Sequence, residues 1–167
     1  MRPILKYSIA VALSAAVLAA AVAFLLFPHT NPSVIHLKTK VLGPRLTYAP
    51  LAYDSARWEV VLEGVRSADV RWLEVAADLR SALDTHPGEE MLSAVSSVLE
   101  LNPHDAIQLL IPSYGADLVC AQDEDGGPVS AAVAKRRVRL LEDRVASPTA
   151  RQCLAAVKRI LGSHEAG

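Results

Sequence analysis

The fold class follows from the stretch DVRWLEVAADLRSAL, which occupies residues 69–83. Its large apolar side chains recur three or four positions apart, the spacing that places them on one face of an α-helix. Asp69 stands at the start, where its carboxylate can accept hydrogen bonds from the unpaired N–H groups of a first turn. The stretch therefore predicts an amphipathic helix that begins after Asp69 and packs one face on a core.

Similar signals recur on both sides of this stretch. Asp54 precedes an apolar stripe that ends near Ser67, and Asn102 precedes Pro103, which is tolerated at the first position of a helix. The predicted helix starts lie at Asp54, Asp69, Gly88, Asn102, Val129 and Ser147. No stretch alternates apolar and polar residues as a half-buried strand does. The sequence predicts an all-α fold, an irregular bundle of six or seven short helices that follows an N-terminal apolar helix.

That apolar helix is predicted from residues 8–27, which contain no charged residue. About 20 apolar residues span the roughly 30 Å hydrocarbon core of a bilayer. Arg2 and Lys6 precede the run and favour a cytoplasmic N-terminus. We expect residues 1–27 to form a transmembrane signal anchor, which would make the chain a single-pass inner-membrane protein with a periplasmic C-terminal domain. The alternative is a secreted or periplasmic protein after signal cleavage within residues 19–23, where alanines supply small-residue sites.

Four prolines lie between residues 28 and 52, at Pro28, Pro32, Pro44 and Pro50. Because proline disfavours regular helix and biases its predecessor toward extended backbone, this segment reads as a linker that acts as a stiff spacer. An extended arm packed along the domain is the alternative. We expect a helical periplasmic domain over residues 53–162 and a disordered tail over residues 163–167.

The chain has two cysteines, Cys120 and Cys153. Both lie in apolar settings, and an even pair in an exported chain predicts one disulfide. Two unpaired core thiols would be expected instead if the domain faced the cytoplasm.

Charge is unevenly distributed, although the net formal charge is only −1. Residues 54–126 carry 15 acidic and 4 basic side chains, and residues 127–167 carry 8 basic and 3 acidic ones. One explanation is internal, with the basic helix around residues 135–139 lying against the acidic helices. The other is that an acidic face with Asp78, Glu89 and Glu90 docks a protein partner that has a basic surface. A nucleic-acid partner is not expected, because the basic stretch is short and lacks interleaved aromatic residues.

No motif for catalysis or metal binding is present. Residues 123–126 resemble part of a calcium loop, but Ala121 and Ala132 stand where the first and last carboxylate ligands are required. The sequence contains no Gly-x-Ser-x-Gly, no His-Glu-x-x-His and no glycine-rich phosphate loop. We therefore expect no catalytic residue, no metal and no cofactor. An enzyme that uses an unrecognised pair of carboxylates is a weaker alternative.

Several short motifs support a resemblance that spans about residues 57–160. They are Trp72-Leu73-x-Val75-Ala76, Asn102-Pro103 followed by Leu109-Leu110, Val119-Cys120 and Arg151-x-Cys153-Leu154. In this order they resemble small exported helical proteins of proteobacteria that carry two cysteines and have no known activity. The resemblance implies a helical fold and an exported compartment, and it implies no chemistry.

The expected function is a non-enzymatic, membrane-tethered periplasmic domain for protein interaction, of which an immunity or inhibitor protein is one form. Its partners would be the lipid bilayer, through residues 8–27, and a basic protein surface. The alternative is a structural or assembly accessory of the cell envelope that works chiefly through its anchor.

Overall fold

Helices make up most of the backbone in a computed structural model of the chain, which describes residues 14–24, 27, 29–144 and 146–165. We label them α1 Pro32–Leu42, α2 Pro44–Ala52, α3 Ser55–Arg66, α4 Val70–Leu79, α5 Thr85–Val98, α6 Pro103–Asp105, α7 Ile111–Tyr114, α8 Ala116–Ala121, α9 Ala131–Glu142 and α10 Pro148–Glu165. A 3₁₀ turn, Arg80–Ala82, follows α4, and a π-helical turn, Ala106–Leu110, joins α6 to α7. Within the described ranges there is no strand, only an isolated bridge between Gln122 and Pro128. The all-α bundle is confirmed, with ten labelled helices where six or seven were expected.

Side-chain caps begin several helices at the predicted positions. Asp54 accepts a hydrogen bond from the backbone N–H of Arg57 at 3.2 Å, and Asp69 accepts one from that of Arg71 at 2.9 Å. The Arg71 guanidinium also contacts the Asp69 carboxylate, and these hydrogen bonds lower the pKa of Asp69 to about 2. Asn102 caps α6 in the same manner. These starts were predictable because a cap is a local interaction between neighbours in sequence.

Two helix starts differ from the prediction. Helix α5 begins at Thr85, ahead of Gly88, because Pro87 lies in the first turn, where its missing N–H leaves no hydrogen bond unmade. Helix α9 is shorter than the predicted range of residues 129–145, since Ser130 accepts a hydrogen bond from the N–H of Val133 and so fixes the start. Val145, the predicted last residue of that helix, lies outside the described residues.

The predicted disordered tail is helical over most of its length. Helix α10 continues through Gly162 to Glu165, and residues 166 and 167 lie outside the described residues. A glycine within a helix costs only about 1 kcal/mol relative to alanine, so Gly162 does not terminate this one.

The expected linker is instead a pair of packed helices, α1 and α2, which we call the N-terminal hairpin. Pro32 and Pro44 each stand in the first turn, where proline is tolerated, so they mark helix starts. Ile35 and Leu51 are each 1% exposed and lie in the core of the domain. Helix α1 packs against α2 and α4, and α2 packs against α3. The prediction of a stiff spacer over residues 28–52 was wrong because burial of these apolar side chains outweighs the cost of the prolines.

One apolar core runs through the bundle and connects its two ends. Helix α3 packs against α5, and α8 packs against both α5 and α10. Cys120 and Cys153 form a disulfide between α8 and α10, with their Cα atoms 5.5 Å apart. The predicted disulfide is therefore confirmed, and both cysteines are fully buried.

A close approach of α3 and α4 explains the glycine within α3. A Cβ atom added at Gly64 would lie 2.4 Å from the Cδ2 atom of the Trp72 ring. The indole of Trp72 therefore lies directly on the backbone of α3, and no side chain larger than that of glycine fits at position 64. This contact sets the separation of the two helices at that point.

The predicted apolar segment 8–27 is described in part. Residues 14–24 are helical, and residues 8–13, 25 and 26 lie outside the described residues. Among the residues that the structure describes, no helix has both the length and the apolar character required to cross a bilayer.

Candidate interaction site

The connection between α8 and α9 forms a tight turn that is rich in carboxylates. We call its residues 123–126 the acidic turn. One oxygen of the Asp123 carboxylate accepts hydrogen bonds from the N–H groups of Asp125 and Gly127, at 3.1 and 2.9 Å. The N–H of Asp123 in turn donates to the carbonyl of Gly127 at 2.9 Å. Gly126 has a φ of +76°, which favours glycine, so the turn is fixed by its own residues.

The carboxylates of Glu124 and Asp125 therefore project from a fixed loop. Both side chains are exposed, and neither forms an ion pair with any residue that the structure describes. Asp123 differs from them, because its oxygen is used to hold the turn. The turn thus presents two uncompensated negative charges to solvent.

Two clefts lie beside the acidic turn and share its carboxylates. The larger has a volume of about 410 Å³ and opens between α5 and α9, and the second has a volume of about 310 Å³ and opens toward the start of α5. Charged residues that line the first cleft are Glu100, Asp123, Glu124, Asp125, Arg136 and Arg137. The second cleft adds Glu89 to the same three carboxylates of the turn. Carboxylates therefore outnumber guanidinium groups across the two clefts.

Arg137 is 4% exposed at the base of the larger cleft and holds three chain segments together. Its Nη1 donates to the carbonyls of Cys120 and Gln122 at 2.9 and 3.0 Å, and its Nη2 donates to the carbonyl of Ser96 at 3.0 Å. These carbonyls lie at the C-terminal ends of α8 and α5, where helix carbonyls lack intrahelical partners. Burial lowers the pKa of Arg137, and the carboxylate of Glu100, 3.4 Å from its Nε, opposes that effect. Arg137 therefore fixes the segment of chain that leads into the acidic turn.

Arg136 also contacts Glu100, so the two guanidinium groups of the larger cleft share one carboxylate. The expectation that the basic helix lies against the acidic helices holds for these two arginines. Lys135 and Arg139 are exposed, and neither forms an ion pair within the described part of the chain.

Asp78, Glu89 and Glu90, the predicted acidic face, occupy three different environments. Asp78 lies against α1, where its carboxylate is 2.8 Å from Lys40 Nζ and 2.7 Å from His36 Nδ1, and its side chain is only 14% exposed. Asp78 therefore fastens the N-terminal hairpin, and its charge is compensated within the chain.

Glu90 is also engaged internally, whereas Glu89 is not. The indole N–H of Trp58 donates to Glu90 at 2.7 Å, and His86 lies 3.5 Å from the other carboxylate oxygen. Glu89 is exposed and lines the second cleft beside the acidic turn. Of the three predicted residues, the structure brings Glu89 alone to the candidate site.

Two buried tyrosines, Tyr48 and Tyr114, form hydrogen bonds with other residues of the chain. Burial and the neighbouring Asp84 carboxylate raise the pKa of Tyr48 to about 12, and its ring meets that of Trp58 edge to face. Burial also raises the pKa of Tyr114, whose hydroxyl donates to the carbonyl of Ala76 at 2.8 Å. Both hydroxyls stay protonated at neutral pH and donate hydrogen bonds, that of Tyr114 within the core and that of Tyr48 to Asp84 at the surface.

The serines beside the larger cleft are similarly engaged. The hydroxyls of Ser96 and Ser97 donate to backbone carbonyls one turn earlier in α5, at 2.9 and 2.8 Å. Within the described ranges, no group of three or more His, Cys, Asp or Glu side chains is arranged to hold a metal ion.

Sequence reasoning missed the position of Arg137, although its register carried a signal. Arg137 lies three residues after Ala134 and four before Leu141, both fully buried, so it falls on the apolar stripe of α9. A charged residue on such a stripe indicates a buried, hydrogen-bonded group. The role of Asp123 in organising the turn carried a similar local signal, because Asp commonly accepts hydrogen bonds from N–H groups two residues onward.

Comparison with protein-family models, with curated protein sequences and with solved structures gave no match to this chain. The geometry of the site therefore carries the functional argument.

Proposed function

We propose that the chain is a non-enzymatic, membrane-tethered periplasmic domain that binds a cationic segment of another protein. The observation that carries this proposal is the acidic turn, which is held by its own hydrogen bonds beside two clefts, with the carboxylates of Glu124 and Asp125 uncompensated. Clefts of this volume lie within the range of about 300–1,000 Å³ that is typical of ligand sites.

A cationic partner fits this surface better than an acidic or apolar one. Glu89 adds a third exposed carboxylate next to the turn, and the nearby arginines are already paired with Glu100. Charge complementarity of this kind chiefly increases specificity and the rate of association. Lysine or arginine side chains that enter the clefts would meet carboxylates on the turn and on α5.

The tether and the compartment rest on the N-terminal sequence and on the disulfide. Residues 8–27 are free of charge and long enough to span a bilayer, and Arg2 and Lys6 favour a cytoplasmic start. The disulfide between Cys120 and Cys153 supports a periplasmic domain, because such bonds persist in oxidising compartments.

Charge reversal at the acidic turn tests the interaction. In the double variant Glu124→Lys/Asp125→Lys, Asp123 is retained so that the turn keeps its hydrogen bonds. We expect capture of partner protein from solubilised envelopes by the tagged full chain to fall about tenfold or more, since like charges across an interface cost several kcal/mol. Circular dichroism should show unchanged helicity.

The matched control is Asp143→Lys/Glu165→Lys, which changes the net charge equally at two exposed positions near the ends of α9 and α10. Its capture should equal that of the wild type. Equal capture by both double variants would overturn the acidic turn as the binding site. Suppose, in addition, that cells with a chain lacking residues 1–27 showed the same envelope defect as cells without the chain. The envelope-accessory function would then replace the proposal.

A further inference from the structure

Large apolar side chains are exposed on both helices of the N-terminal hairpin. Leu37 and Val41 lie one turn apart on α1 and are 53% and 64% exposed, and Leu46 on α2 is 66% exposed. We call these three residues the hairpin face. A single exposed leucine is ordinary on a protein surface, so exposure alone assigns the face no role.

Contacts between the hairpin and the end of the apolar run indicate where the hairpin face lies. Phe27 is 66% exposed and lines a small recess together with Leu46. The ammonium group of Lys38 on α1 donates to the carbonyl of Phe27, and it lies 5.4 Å from the centre of the Phe24 ring. Phe24 and Phe27, near the end of the run, are therefore in direct contact with the hairpin.

These contacts limit where the hairpin can lie if residues 8–27 enter a bilayer. A side chain on α1 that bonds the backbone at Phe27 keeps α1 at the level where the run leaves the hydrocarbon core. Helix α1 has 11 residues and is about 16 Å long, so it cannot reach far from that level in any orientation. The interfacial layer is where amphipathic helices lie in the membrane plane, with their apolar face roughly 5–10 Å deep.

We propose that the hairpin face lies on the lipid interface, so that the domain is seated on the bilayer as well as tethered to it. The proposal rests on the membrane tether of the proposed function. Leu37, Val41 and Leu46 enter the boundary between headgroups and acyl chains, and Arg45, exposed next to Leu46, meets lipid phosphates. Seating at this surface restricts the tilt of the domain and fixes which way the acidic turn faces.

Spin labels on the full chain, reconstituted in vesicles of phosphatidylethanolamine and phosphatidylglycerol, test this seating. The native cysteines are both in the disulfide, so Val41→Cys, Leu46→Cys and the control Leu101→Cys each offer a single free thiol for labelling. Leu101 is a matched control because it is 67% exposed and lies far along the chain between α5 and α6. Circular dichroism checks that each variant folds.

The measurement is the accessibility of each label to oxygen, which concentrates in lipid, and to a water-soluble nickel chelate. We expect labels at positions 41 and 46 to favour oxygen several-fold more than the label at position 101. Co-flotation with vesicles but equal accessibility at all three positions would overturn the seating and leave the tether intact. Failure to co-float would overturn the tether and the seating together. Spin–spin broadening at position 41 that grows with protein density would assign the hairpin face to a second copy of the chain instead.

Discussion

The N-terminal hairpin and the C-terminal group of helices α8, α9 and α10 are attached to the core in different ways. The hairpin is held by buried apolar side chains such as Ile35 and Leu51 and by the contacts of Asp78 with Lys40 and His36. The C-terminal group is cross-linked internally by the disulfide between α8 and α10, and its buried Arg137 binds the carbonyl of Ser96 on α5. The hairpin is therefore attached by apolar burial and by ion pairs at its surface, whereas the C-terminal group is also fixed to α5 by a buried, charged hydrogen bond.

This difference matches the roles that we propose for the two regions. A surface that rests on lipid gains from apolar burial, which does not depend on the direction of each contact. A surface that recognises a charged segment needs carboxylates at fixed positions, because misplaced charges lose complementarity.

The largest loss of stability is expected when Arg137 is replaced. In Arg137→Ala, the carbonyls of Cys120, Gln122 and Ser96 lose their donors, and we expect the free energy of unfolding to fall by about 3–5 kcal/mol. Urea denaturation followed by circular dichroism measures the change. Lys135→Ala, on the exposed side of the same helix, should change stability by less than about 0.5 kcal/mol. A loss below about 1 kcal/mol in Arg137→Ala would show that α8 and α5 do not depend on this contact.

The second-largest loss of stability is expected when the disulfide is removed. Its cysteines are 33 positions apart, and on the chain-entropy model closing a loop of that length stabilises the fold by roughly 3.5–4 kcal/mol. The double variant Cys120→Ala/Cys153→Ala should lose about that amount in the same urea experiment. Reductant should lower the midpoint of the wild type toward that of the variant and leave the variant unchanged. A wild-type midpoint that does not respond to reductant, in protein shown to be reduced, would contradict the expectation.

A smaller and more local effect is expected in the hairpin. Leu51→Ala should cost about 2–3 kcal/mol, near the lower end for buried leucines, because a short surface helix can settle into the vacated space. Hydrogen exchange should quicken in α1 and α2 and stay unchanged in α8 and α10. Leu46→Ala, at an exposed position of the same helix, serves as the control and should leave exchange unaltered. Equal acceleration throughout the bundle would mean that the hairpin and the C-terminal group unfold as one unit.

Local signals in the sequence were sufficient for much of the fold. Asp54, Asp69 and Asn102 marked helix starts because each cap is made between residues close in sequence. The pairing of Cys120 with Cys153 was predictable because the chain has no other cysteine.

The hairpin was not predictable in the same way, because proline near a helix start and proline in a linker look alike in one sequence. Pro32 and Pro44 begin helices here since Ile35 and Leu51 find buried partners on helices distant along the chain. The candidate site was missed in part for a related reason. Glu90 and Asp78 have partners 32 and 38 positions away. Only the fold reveals that their carboxylates already bind groups of the same chain.

Cys120 is held on two sides, by the covalent bond of its side chain and by the guanidinium that binds its carbonyl. The acidic turn begins three residues later, so its base has little freedom left before any partner arrives. Ordering a loop normally subtracts from the affinity of a complex, because conformational entropy is lost when the loop is fixed. Here that loss is incurred when the chain folds and its thiols are oxidised. On the proposed function, we therefore expect the oxidation state of Cys120 and Cys153 to change the affinity for the partner, although neither cysteine would contact it.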